Sequence, residues 1–436
     1  MMPTLPLPAQ RPVPEARPIP PRFTVKSKRP HSWLVTAVGL AMCLSGVVLV
    51  EPAPIDAAIM GLCGLAVLIG QLSFAGAHSL PAFLLVLFLF ANVVSMADPI
   101  EKTRTIWYAL VTAYLGASLF FFAGLLTRHG MPAVRVLMRG YAFAAIYSVA
   151  LGLGGYFNLL PGRDILTLYN RPKGLFKDPN VFGPFLIPVA IYALMALQVA
   201  QKRWAKVAWA ATFLVCTLGV FLSFSRACWL NFAVSLGIYA LMFFWSSESG
   251  AQLSARLVAA ATFGCVAGIL VLALVSVPAV KSMLMIRLGA KGLQSYDTKR
   301  FQVHDEALES ARRRPLGIGP GQSEIAFAYA THSTYLRVLT ENGVVGALAF
   351  YALLGASLWR ALRLARTART KRWRSLGAVL LACIGGVLAN SVVIDSIHWR
   401  HLWLLLGMSW AAHPNALPLP TPSFRYRTPR RAPIPQ

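Results

Sequence analysis

The chain has 436 residues, of which 57% are hydrophobic and only 13% charged, and its mean hydropathy is +0.60. A soluble domain carries about 25% charged residues. Apolar runs of about 17 to 25 residues recur along most of the length, which excludes a soluble globular class and predicts an all-α polytopic membrane protein.

Lys and Arg total 41 against 15 Asp and Glu. In a soluble chain that balance would point to nucleic acid. Here it reads first as lipid-facing loop charge, so membrane lipids are expected partners and nucleic acid is not. Residues 1–30 are Pro-rich and basic, too long and polar for a cleaved signal peptide, and are expected to form a disordered cytoplasmic tail. Twelve spans are predicted: 32–50, 56–74, 79–97, 106–126, 141–160, 180–199, 205–223, 227–245, 257–279, 335–357, 376–392 and 398–412. Together they make one transmembrane domain over 31–412, followed by a second basic, Pro-rich tail over 413–436. The six cysteines all fall inside apolar runs without a CxxC pair, and read as small core residues.

If the spans alternate, the N-terminal tail, "TRHGMPAVRVLMR", "QKRWAK", "RALRLARTARTKRWR" and the C-terminal tail share one side. They carry six, three, three, seven and four Lys or Arg. The positive-inside rule makes that side cytoplasmic, with both termini there. Loops 161–179 and 280–334 then face the periplasm, yet carry four and eight Lys or Arg. Long loops cross regardless of charge, so the orientation stands. Contact with outer-leaflet headgroups is the ordinary reason for the charge, and a polyanionic ligand is the specific one.

In the first of these loops, "YNRPKGLFKDPNVFGP" gathers Arg171, Lys173 and Lys177. Pro172 and Pro179 break any continuous helix. Asp178 is placed to cap a helix that starts with Pro179, whose amide groups and neighbouring cations suit phosphate. Further on, "FLSFSRACW" holds Arg226 as a lone charge between apolar runs. A charge at membrane depth faces a protein interior or a wet cavity, whereas at headgroup level it simply ends a span. The long loop predicts an amphipathic helix over 300–312, and the basic run Arg312, Arg313 and Arg314 lies just before a glycine turn. That turn holds Gly317, Gly319 and Gly321, without the GK[ST] of a Walker loop. His332 then stands beside Ser333, Thr334 and Tyr335, where a neutral imidazole can take a proton from a hydroxyl. Glu341 lies deeper and needs a partner, and Arg337 at i,i+4 is the candidate. The last predicted periplasmic loop, "DSIHWRH", clusters Asp395, His398, Arg400 and His401. It reads as a wall of the same cavity or as a wet loop, with spacing too loose to claim a metal site.

Three of these segments, in order, resemble the O-antigen ligase and polysaccharide polymerase superfamily of membrane glycosyltransferases. "RPKGLFKDPNVFG" is similar to the family's R-x-x-G-x-F-x-x-P-N segment (Arg171, Gly174, Phe176, Pro179, Asn180). "FSRACW" is similar to its S-R-G/A segment. "PLGIGPG" with "HSTYLRVLTENGVVG" is similar to its G-x-G followed by H-S/N-x-Y-L-x-x-L-x-E-x-G. The resemblance spans about residues 165 to 346. It implies a GT-C-like helical architecture in a bacterial inner membrane, with the site facing the periplasm. The implied donor is a glycan on undecaprenyl diphosphate, and the acceptor is lipid A-core for a ligase or a second lipid-linked glycan for a polymerase. Neither a cofactor nor a metal is implied. Arg171 and Arg226 map to the family's diphosphate-binding arginines and His332 to its candidate base. Lys173, Lys177, Asn180, Arg312, Arg313, Arg314 and Tyr335 are candidate substrate contacts, and Glu341, Asp395, His398 and Arg400 candidate cavity wall. A protein-directed oligosaccharide transferase is a variant of the same chemistry. A secondary transporter or lipid flippase suits twelve spans and basic cavities, but lacks visible pseudo-repeats. A non-catalytic scaffold in polysaccharide export leaves the basic loops unexplained.

Overall fold

A computed structural model describes residues 32–247, 249–288, 295–327 and 331–416. The two predicted tails fall almost wholly outside these residues. With no water to satisfy peptide groups inside a bilayer, the apolar runs close their own hydrogen bonds as helices. In chain order these are α1 (Trp33–Met42), α2 (Pro54–Leu68), α3 (Ser79–Ser95), α4 (Lys102–His129) and α5 (Met131–Tyr156). A short helix α6 (Arg163–Leu166) and a hairpin of β1 (Thr167–Leu168) and β2 (Arg171–Pro172) follow. Then come α7 (Pro179–Val199), α8 (Arg203–Leu222), α9 (Arg226–Trp245) and α10 (Gly250–Val275). The long loop contains α11 (Pro278–Arg287), α12 (Ser295–Arg313) and α13 (Ser323–Ala326), and α14 (Thr334–Thr367), α15 (Lys371–Asn390) and α16 (Arg400–Ser409) complete the bundle.

Among the described residues eight helices are long and apolar enough to cross a membrane. Each of the twelve predicted spans overlaps a helix, but not all are of spanning length. The predicted span 398–412 is corrected most clearly. α16 has ten residues, about 15 Å, half a hydrocarbon core. It is short because residues 391–399 do not stay at the surface. His398 Nε2 lies 3.0 Å from Thr112 Oγ1, ten residues inside α4, so this loop dips into the bundle. Nearly every α16 side chain is buried, which makes it a core helix.

Close helix crossings rest on small residues. A Cβ at Gly140 of α5 would stand 2.0 Å from the Gly39 carbonyl oxygen of α1, so the two backbones touch. α9 and α15 run antiparallel: Gly386 meets Asn231 and Ser235, while Ala378 and Ser375 share a cavity wall with Tyr239 and Met242.

Contacts sort the connections to two ends. At one end, Lys177 pairs with Glu51 at 2.9 Å and Arg400 with Asp56. There too Arg104 pairs with Glu324, Gln322 bonds the backbone of Glu101, and Arg337 pairs with Asp395. At the other end, the Ala412 amide donates to Thr127 Oγ1 at 2.9 Å, and Trp373 stacks on His413. The Arg- and Lys-rich connections 128–139 and 360–374 gather at this second end.

Candidate functional site

The hairpin between α6 and α7 exists to aim one side chain. Tyr169 and Asn170 form its two-residue turn with φ of 51° and 56°, the left-handed pair that a tight hairpin turn requires. Arg171 follows on β2 and turns inward. Its Nε donates to Ser223 O at 2.9 Å and its Nη2 to Asn180 Oδ1 at 3.0 Å. The residue is 5% exposed. Burial, and then the neighbouring Arg287 charge, lower its pKa to about 10, which still leaves it cationic at neutral pH.

Ser223 precedes Arg226 by three residues, so the first two family motifs meet here. Phe224 between them has φ 49°. Ser225 caps α9 by accepting from the Cys228 amide, which sets Arg226 as an exposed first helical residue. The antiparallel fit of α9 and α15 brings Asn390 beside this helix start. The Thr334 amide donates to Ser391 O at 2.9 Å, so His332 lies at the same end. Ser333 caps α14 by accepting from the Leu336 amide. His332 itself has φ 45° and is half-buried. Left-handed backbone costs a bulky residue about 1–3 kcal/mol and persists where surroundings enforce it. Tyr169, Phe224 and His332 thus mark three strained points, each at or within two residues of a motif residue.

Several predicted contacts have other work. Asp178 caps α7, with its Oδ1 2.5 Å from the Asn180 amide. The helix start is therefore satisfied internally, and the expected phosphate cradle of free amides is not there. Lys173 is buried and donates to Phe176 O at 3.0 Å, closing its own loop. Asn180 holds Arg171. The Tyr335 hydroxyl donates to Leu388 O at 2.9 Å and its ring meets Tyr351, so it fastens α14 to α15. Arg312, Arg313 and Arg314 are exposed, and Arg313 pairs with Glu309.

Glu341 is not cavity wall. Its carboxylate accepts from the Gly321 amide at 2.7 Å and from both the amide and hydroxyl of Ser323, while Arg337 Nε approaches at 3.2 Å. The glycine turn wraps this carboxylate. Gly317, at φ 92°, has no room for a Cβ, which would meet Glu341 O at 2.4 Å. The Val344 amide reaches back to Pro315 O across the kink at Gly343. The turn is an anchor for the long loop.

Asp395, His398, Arg400 and Lys177 do line a cavity of about 290 Å³ beside this site. Arg171, Arg226 and His332 are not among its wall residues. Three cations (Lys177, Arg337, Arg400) face four carboxylates (Glu51, Asp56, Glu324, Asp395) around it. Arg400 grips Asp56 in a fork, Nε–Oδ1 2.6 Å and Nη2–Oδ2 2.5 Å, with the Tyr114 hydroxyl on the same carboxylate. Arg337 stands 2.6 Å from Asp395 and 3.1 Å from Glu324, over the Tyr108 ring. Its Nη2 and His401 Nε2 are buried without a hydrogen-bond partner among the described residues. Burial, then the Arg337 charge, push His398 down to about 4, so it is neutral at pH 7. Each cation of the cavity has an acidic partner, and aromatic, aliphatic and polar groups complete the wall. Arg171, Arg226 and Arg287 lie outside it.

Glu51, Asp56, Tyr108, Tyr114 and Arg287 escape a sequence reading. Only Arg287 had a signal: it is a lone charge in "MLMIRLG", as Arg226 is in its own apolar stretch. Among the described residues no group of three or more His, Cys, Asp and Glu is arranged to hold a metal ion. No curated protein matches the chain. Residues 211–351 match the family model described as O-Antigen ligase, a range that contains Arg226, Arg287, His332 and Glu341 but not the Arg171 loop. Over those residues the chain is similar to the O-antigen ligase family.

Proposed function

We propose that this protein transfers a glycan from an undecaprenyl-diphosphate carrier to a sugar hydroxyl of lipid A-core at the periplasmic face of a bacterial inner membrane. The observation that carries the reading is Arg171. It is a buried guanidinium, held by Ser223 and Asn180, next to Arg287 and joined through the Ser223–Ser225 turn to Arg226. Leaving-group charge develops on the diphosphate as the glycosidic bond breaks. Fixed guanidinium groups stabilise that charge without reorganising. The exposed Arg226 meets a headgroup arriving from lipid, and Arg171 meets it from the protein side.

The acceptor oxygen attacks the anomeric carbon while the carbon–oxygen bond to diphosphate breaks. The acceptor proton passes to His332, and the anomeric centre inverts. No metal is needed in this scheme, because the arginines take the developing negative charge. With each of its cations paired to a carboxylate, the cavity suits uncharged, hydroxyl-rich sugar better than phosphate, with Arg337 Nη2 as a donor. On this reading the basic connections 128–139 and 360–374 are cytoplasmic by the positive-inside rule, and these groups, at the opposite end, face the periplasm.

The test is transfer by the purified full chain from an undecaprenyl-diphosphate glycan, with lipid A-core and a second lipid-linked glycan offered in separate reactions, with and without chelator. Product on lipid A-core, lost in His332→Gln, is the expected result. Product only on the lipid-linked glycan makes the protein a polymerase. Carrier moved across a vesicle membrane without covalent product would make it a transporter and end the transferase reading. Activity abolished by chelator would end the metal-free one.

A further inference from the structure

A second cavity, of about 430 Å³, lies at the opposite end of the bundle. The ends of α7, α9 and α14 and the beginnings of α10 and α15 enclose it. Arg256, Arg366, Lys371 and Arg374 line it, and no carboxylate does among the described residues. The contrast with the first cavity is chemical: there every cation faces an acidic partner, here Arg256, Arg366 and Arg374 meet none among the described residues. The cations are also held in place. Arg256 donates to Ser246 Oγ at 2.9 Å and Ser247 Oγ at 3.1 Å, and lies 4.4 Å over the Phe243 ring. Arg374 donates to Ala368 O at 3.1 Å. Arg366 lies 5.7 Å over the ring of Trp245, which is 71% exposed.

We propose that this pocket binds the phosphate of an anionic phospholipid headgroup. Three observations favour a lipid over a free anion. α9 is 20 residues long, about 30 Å, so the pocket sits one hydrocarbon thickness from Arg226, at headgroup depth in the other leaflet. Met242, Phe243 and Trp245 give the wall an apolar side where a glycerol backbone and the start of an acyl chain can lie. An exposed tryptophan beside arginines is the pattern of a membrane–water interface. Guanidinium groups supply forked donors for phosphate oxygens, and basic pockets between membrane helices at the cytoplasmic side bind anionic headgroups. Such a lipid bridges the connection after α9 to the connection between α14 and α15. The pocket shares no residue with the proposed transfer site, so the inference stands independently of it.

The full chain, purified in neutral detergent, is titrated with phosphatidylglycerol, with phosphatidylcholine and with inorganic phosphate. Retained lipid is read by native mass spectrometry and stabilisation by thermal melting. Phosphatidylglycerol is expected to bind and raise the melting temperature, and phosphatidylcholine, whose choline cancels the charge, is not. Arg366→Gln with Arg374→Gln weakens phosphatidylglycerol binding roughly tenfold or more, since each removes a charge-assisted contact. Arg366→Gln alone, at an exposed position, gives a smaller loss in a normally folded protein. Arg363→Gln and Arg369→Gln, basic residues nearby that do not line the pocket, leave binding within about twofold. Equal loss in the two sets would mean diffuse surface charge and overturn the proposal. So would equal binding of both lipids, or stabilisation by inorganic phosphate alone.

Discussion

Replacing Arg226 by glutamine separates chemistry from folding. The side chain is exposed at the first residue of α9, and exposed substitutions away from special features change stability by within about 0.5 kcal/mol. Removing a positive charge from a helix N-terminus also relieves an unfavourable dipole interaction of about 0.3–1 kcal/mol. Contacts of an exposed side chain are worth at most about 1 kcal/mol, so folding should change by no more than about that. Its loss from the transition state is a different matter. One preorganised donor at developing negative charge is worth about 2.7–4 kcal/mol, or roughly 10²–10³ in rate. Arg171→Gln should show the same loss of rate together with a large loss of stability. Its bonds to Ser223 O and Asn180 Oδ1 are hydrogen bonds of a buried charge, worth about 1.5–3 kcal/mol each. The assay pairs the initial rate of glycan transfer with thermal melting of the same detergent-solubilised samples. An Arg226→Gln protein whose rate stays within about tenfold of the parent, or falls only in step with its melting temperature, would refute the diphosphate role.

The remaining outcomes concern the architecture around the site. Gly317→Ala forces a Cβ against the Glu341 carbonyl at φ 92°; a loss of about 2 kcal/mol or more and faster proteolysis between Arg314 and Thr331 are expected, and unchanged cleavage would show the turn is not an anchor. Asp56→Asn strips Arg400 of its forked partner and should cost about 3–5 kcal/mol, with part recovered when Arg400→Gln is added; no recovery in that pair would mean the two do not act together. For His398, the folded pKa of about 4 lies below the ordinary 6.5. Above pH 6.5 the group is neutral in both states and its contribution is intact; as pH falls towards 4 the unfolded chain takes up a proton that the folded one refuses, and roughly 3 kcal/mol is lost. His398→Gln should flatten melting temperature against pH across that window, and an unaltered slope would contradict it.

What the sequence made legible was mostly local. Asp178 before Pro179 announced a capped helix, and α7 starts there. Arg337 and Glu341 at i,i+4 announced a pair, and the two meet at 3.2 Å. Apolar runs announced helices, though length alone could not tell the buried α16 from a lipid-facing span. The unreadable part was long-range. Asp56 and Arg400 are 344 residues apart, and nothing near either names the other. Lys173 illustrates a different obstacle: a lysine in a basic loop looks like a ligand contact until Phe176 O is seen accepting from it.

Glu341 carries a warning for any mutational survey of this protein. One carboxylate fastens the glycine turn, the first residues of α13 and, through Arg337, the floor beneath Tyr108. A scan scored by product alone would rank it beside His332 and invite its promotion to general acid. Protease accessibility of the segment around Gly321 would tell the two apart, because a lost fastener opens the segment and a lost general acid leaves it shut.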